Sequence, residues 1–147
     1  MAYWTGILLT ACVIATANSI DSLPLEIIRK GRFDEVFFLD LPQKSERQEI
    51  FQIHLKQFRP NSWEKFNYSE LAELTEYFSG AEIRQTIIEA MYQAFYEKRE
   101  FTTNDIRNAI NELIPLAKIE NAQMLKLKNW ATSGKIRLAS TKDIFLN

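Results

Sequence analysis

VIATANSIDSLPLEIIRKGR, residues 13–32, opens on an apolar run, turns at the polar Asn18, passes through a short amphipathic segment and ends on two arginines, Arg29 and Arg32. The run at 11–16 shows no alternation, which suits a strand covered on both faces, as in a parallel sheet. A β-branched run that delivers one polar residue at its end is how α/β proteins place a chemical group at the carboxyl edge of a sheet. Asn18 can orient a water or a phosphate oxygen without adding charge, or it can simply make an Asx-turn. Arg29 and Arg32 are permanent cations three positions apart beside Gly31, a fork that suits an anion. The same arginines could equally form a surface salt-bridge cluster with Asp34 and Glu35. Residues 33–40 follow as a second strand, rich in strand formers (Val36, Phe37, Phe38, Leu39), and Pro42 closes it.

Outward from there the pattern turns helical. Ser45-x-x-Gln48 reads as a capping box opening a helix at 44–57. Pro60, Asn61 and Ser62 make 58–66 a linker and a candidate boundary between two pieces. Residues 68–76 form a short helix with Leu71, Ala72 and Leu74 inward. Ser79-Gly80-Ala81-Glu82 is a second capping box, and it opens the longest helix, striped by Ile83, Ile87, Met91 and Phe95. Thr102 or Thr103 caps a further helix with Ile106, Ala109, Ile110 and Leu113 inward, ended by Pro115. Residues 116–131 read as one basic helix, followed by a loose tail. The domains expected are therefore an α/β piece at 1–58, a helical piece at 67–115 and a basic helix with tail at 116–147.

With 147 residues, 46% hydrophobic and 12% aromatic, the chain can bury a real core. Its net charge of −1 lacks the strongly basic face of a dedicated nucleic-acid binder. From Lys118 onward six basic residues face two acidic ones, a local +4, so the remainder carries −5. One cysteine, Cys12, in an apolar run, allows no disulfide framework and suits an intracellular protein. The apolar run at 7–17 has signal-peptide length and an Ala15-Thr16-Ala17 cleavage-like end. No Lys or Arg precedes Arg29, however, and the run is too short to span a bilayer. One histidine and one cysteine cannot build a zinc site, so no metal-binding residues are expected. There is neither a G-x-x-x-x-G-K-[ST] loop nor an apolar strand ending in Asp-Glu that would hold Mg²⁺.

The spacing of Asn18, Leu23-Pro24 and Ile27-Ile28-Arg29-Lys30-Gly31-Arg32-Phe33-Asp34 resembles the second region of homology of AAA+ ATPases, most nearly those of cyanobacteria and algal plastids. The resemblance runs from Val13 to about Ser140. It implies the end of an α/β large subdomain with parallel strands, followed by an all-α lid, mostly helical overall. It makes Asn18 the sensor-1 residue, and Arg29 and Arg32 arginine fingers that serve a neighbouring subunit. His54, in Ile50-Phe51-Gln52-Ile53-His54, matches a histidine near the adenosine. Gly80 and Ala81 match the turn that approaches adenine, with Ala81 at the sensor-2 position without an arginine. It further implies ATP with Mg²⁺ in the full-length family, a homo-oligomeric ring, a macromolecular substrate to remodel, no membrane, and the plastid stroma or cyanobacterial cytoplasm. The family's phosphate loop and acidic pair lie upstream of sensor 1. The expectation is thus the C-terminal part of such an ATPase, from a truncated gene, a split gene or a fragment of a longer chain, inactive alone and binding no nucleotide tightly by itself. The residues also allow a different function, a non-enzymatic helical interaction module working through 68–130.

Overall fold

The computed structural model describes residues 13–17 and 34–139. The chain divides into two compact units, 1–35 and 36–147. In the first, residues 13–17 carry no regular structure, and Val13 and Ile14 stand 71% and 87% exposed. The buried strand expected at 11–16 is therefore absent at 13–16. Strand propensity expresses itself only where neighbouring strands and covering helices exist to bury it.

The second unit begins with β1 (Phe37–Phe38) and continues through α1 (Lys44–Phe58), a 3₁₀ turn (Trp63–Lys65), α2 (Tyr68–Leu74), α3 (Gly80–Tyr96) and α4 (Thr103–Glu112). It then runs through α5 (Leu116–Ile119), α6 (Asn121–Trp130), a π-type turn (Ala131–Lys135) and β2 (Arg137–Leu138). Of the strand read at 33–40, only two of the described residues form one, and its parallel partner comes from the segment read as a loose tail. The Arg137 and Ala139 N–H groups donate to the Val36 and Phe38 carbonyls at 3.3 and 2.9 Å.

One core joins α1 to α4. Phe51 and Leu55 of α1, Leu71 of α2, Ile83 and Ile87 of α3, and Ile106 of α4 are fully buried in it. The Pro60-Asn61-Ser62 stretch is consequently a turn inside the helical unit, since α1 packs with the helices that follow it. Two inward assignments fail. Leu74 is 41% exposed, and Thr75 is buried in its place, its hydroxyl donating to the Leu71 carbonyl at 2.8 Å. Phe95 is 82% exposed, while Thr86, Ala90 and Ala94 complete the inner face of α3. A strict four-residue spacing drifts about 40° per step on a helix of 3.6 residues per turn, so the third step leaves the face.

The helix starts show which polar groups hold the unit together. At α1 the box is two residues earlier than Ser45 predicts: the Gln43 N–H donates to the Glu46 carboxylate at 2.6 Å. Arg47, buried on α1, donates Nε to the Ala72 carbonyl at 2.9 Å and Nη1 to the Pro42 carbonyl at 2.7 Å. That ties the entry segment to the end of α2. The C-terminus of α3 closes with Lys98 in the left-handed region, φ 56°, where the Arg99 N–H reaches the Ala94 carbonyl at 3.0 Å. This reversal aims Arg99 at Asp105, and the two make a forked ion pair at 2.6 and 2.8 Å. Asp105 also accepts the Thr102 N–H at 2.7 Å and hydroxyl at 2.8 Å.

The Arg99 guanidinium, backed by the Thr102 bonds, holds the Asp105 carboxyl well below its usual range. Its stabilisation is present above the unfolded-state value near 3.8 and is lost as pH falls below it. Asp105→Asn should cost about 1–3 kcal/mol at neutral pH. It should also flatten the acid limb of a denaturation-midpoint series; an unchanged limb would remove Asp105 as its source.

Candidate functional site

Of the residues singled out by sequence, Asn18, Arg29 and Arg32 lie outside the described residues. The other three come together. His54 sits on α1 and Gly80 and Ala81 open α3, and these two helices pack side by side. Ile50, His54 and Phe58 form one i, i+4 row. Gly80 and Arg84 form the row facing it. A Cβ built on Gly80 would stand 3.7 Å from Ile50 Cδ1, ordinary contact, so packing among the described residues does not demand glycine here. Next along, the Arg84 guanidinium lies 5.8 Å from the Phe58 ring centroid, and the His54 and Phe58 rings stack at 6.5 Å and 24°.

His54 is half-buried. Its Nδ1 is shielded from water and, among the described residues, has no hydrogen-bond partner. Burial, helped by the charge of Arg84, pushes the imidazole below its ordinary value of 6.5 and so favours the neutral ring. The sign follows directly: between the folded and unfolded values the unfolded chain binds more protons. The contribution is therefore whole above about pH 6.5 and falls as the pH drops through that range. His54→Gln should weaken the loss of thermal stability between about pH 7 and 5. An identical slope in the variant would show that another group titrates there.

The N-terminus of α3 is built by reciprocal capping. The Ser79 N–H donates to Glu82 Oε2 at 2.7 Å, and the Glu82 N–H donates back to Ser79 Oγ at 3.3 Å. Four N–H groups are free at a helix start. Two are used here, and among the described residues those of Gly80 and Ala81 find no acceptor. Glu82 also accepts, through Oε1, the Leu116 N–H at 2.7 Å. Sequence reading missed this bond and Arg84, because neither follows from helix periodicity.

The cluster therefore offers one unpartnered imidazole nitrogen, two free backbone donors, a guanidinium and a flat apolar surface at Phe58. That set suits a neutral heteroaromatic group with polar edges. No group of His, Cys, Asp and Glu among the described residues could hold a metal ion. No described helix is long and apolar enough to cross a membrane.

The family model of the AAA+ lid domain matches residues 65–111. The AAA domain-containing protein ycf46 of Trieres chinensis is 68% identical over 135 residues, 92% of this chain and 27% of that protein. The proteasome-activating nucleotidase of Saccharolobus solfataricus is 40% identical over 102 residues, 69% of this chain and 25% of that protein. The chain thus spans about a quarter of the length of the curated relatives it matches. Among solved structures, the FIGL-1 AAA domain in complex with ADP aligns with a TM-score of 0.56 at 21% identity, over 69% of this chain and 38% of that one. This last likeness concerns the fold.

Proposed function

Because the chain belongs to the AAA+ ATPases and corresponds to their C-terminal, lid-bearing part, we propose that its helical unit closes over the adenosine of ATP in an assembled AAA+ ring. The observation that carries this reading is the orphaned His54 Nδ1 beside the unfilled N–H groups of Gly80 and Ala81. Bound ATP with Mg²⁺ would supply the phosphoryl chemistry. His54, neutral, can hydrogen-bond the nucleoside without charge, and the unfilled N–H groups of Gly80 and Ala81 can donate to the base. Asn18 as sensor 1 would position a water or phosphate oxygen of this subunit's own nucleotide. Arg29 and Arg32 would reach the neighbour's.

The 147 residues contain no G-x-x-x-x-G-K-[ST] stretch. We expect the purified chain to show no ATP turnover, and turnover abolished by Asn18→Ala would contradict that. The wider reading is a homo-oligomeric ring that remodels a macromolecule, working in the plastid stroma or the cyanobacterial cytoplasm. Its support is the kinship with ycf46 proteins of algae.

The test uses a chimera in which this sequence replaces the matched region of the Trieres chinensis relative. Photolabelling with 8-azido-ADP should mark peptides containing residues 50–58 or 79–84. Label confined to other segments would overturn the assignment.

A further inference from the structure

We infer that the C-terminal segment 116–139 is a strap that mechanically couples the Ser79–Glu82 turn to the junction strand β1, with Glu82 as the positioning residue at one end. The coupling has four links, all within the unit 36–147. Glu82 Oε1 takes the Leu116 N–H at 2.7 Å, while Oε2 of the same carboxylate holds the Ser79 N–H and hydroxyl at 2.7 Å each. One side chain thus grips both the turn and the first residue of α5.

The second link lies beside a groove of about 340 Å³ lined by Leu41, just past β1, Tyr77, just before the turn, and Ala117, Met124 and Leu125 of the strap. Lys118 sits 5.1 Å from the Tyr77 ring centroid. The third link is the 3.4 Å ion pair of Lys128 with Asp40, whose side chain is only 9% exposed. The fourth is the ladder of β2 on β1, at 3.3 and 2.9 Å.

Movement at either end is therefore passed to the other through the Glu82–Leu116 bond, the Lys118–Tyr77 contact, the Lys128–Asp40 ion pair and the ladder. The segment does not need a ligand of its own to do this. Taken with the adenosine assignment of Gly80 and Ala81, on which this functional sense rests, the strap reports nucleotide occupancy to the strand where the helical unit begins.

Leu116→Pro removes the donated N–H, and the side chain it also changes is 55% exposed. Proline is favoured at a first helical position, and Pro115 already has ψ 138°, as a residue before proline requires. Amide hydrogen exchange is the readout. In the full chain Leu116→Pro should accelerate exchange about tenfold at 79–83 and also at 36–41. Lys128→Ala, cut from the other end, should accelerate 79–83 as well as 36–41. Effects confined to the side of each substitution would overturn the strap, and Lys128→Ala decides the matter if the proline variant does not fold.

In the chimera, ADP should slow exchange at 79–83 and at 36–41, the latter only with Leu116 intact. If ADP protects 79–83 and leaves 36–41 unchanged, the coupling fails and the adenosine reading stands. If ADP leaves 79–83 unchanged while the two substitutions still act across the unit, the adenosine reading fails and the mechanical strap stands.

Discussion

Replacing Arg29 or Arg32 by alanine in the chimeric ring is expected to lower ATP turnover by about 10³–10⁵-fold and to leave ADP affinity unchanged. The two residues are proposed to act on the neighbouring subunit's nucleotide. A guanidinium that meets charge only as it builds on the γ-phosphate stabilises the transition state more than the bound ground state. Its removal therefore appears in rate and not in binding. Lysine should not restore the rate, because an ammonium cannot present the planar two-donor fork. Steady-state turnover set beside a fluorescent-ADP titration separates the outcomes. Parallel losses of rate and affinity would assign the arginines to ordinary ground-state binding and sink the trans role.

The second large effect concerns the helical unit. Phe51 is fully buried at the centre of the core shared by α1–α4, and Ile53, two residues along the same helix, is 63% exposed. Phe51→Ala should cost about 3–5 kcal/mol, the transfer of the ring plus the cavity it leaves. That is a large fraction of the 5–15 kcal/mol by which domains are typically stable. Ile53→Ala should be close to neutral, within about 0.5 kcal/mol. Chemical denaturation of the two variants tests the pair. Equal effects would mean that α1 does not dock on the face described.

Local chemistry made part of this legible in advance. The Ser79 and Thr102 caps stand where a hydroxyl precedes an acid by three residues, because such a box closes on itself without outside help. Ile83, Ile87, Ile106 and Ile110 were readable from helical repetition. What escaped depends on partners remote in sequence. The 116–131 stretch reads as one helix by composition, yet it breaks at Glu120 (φ −103°, ψ 37°) into α5 and α6. Nothing in the local composition announces that break. The strand at Arg137–Leu138 exists only because β1 offers it an edge. At Gln43 an unremarkable glutamine starts α1 because Glu46 lies three residues on. For the candidate site, His54, Gly80 and Ala81 were proposed from the family resemblance alone, whereas Arg84 and the Leu116 bond required the helices to be placed side by side.

The β1–β2 ladder pairs Phe37 with Arg137, and this separation has a consequence for the order of folding. Helices α1–α4 are made, and can bury their shared core, before β2 has been synthesised at all. Their contacts are nearer in sequence, and short loops close at lower entropic cost. At translation rates of about 5–20 residues per second, the edge of β1 waits roughly 5–20 s for its partner. During that interval Phe37 and Leu39, still 58% and 80% exposed in the finished fold, present an open strand to whatever lies near. The nascent chain is thus open to mispairing at the very strand that a later-made segment covers. A ribosome-bound chain stalled before Arg137 is the species in which that vulnerability can be caught.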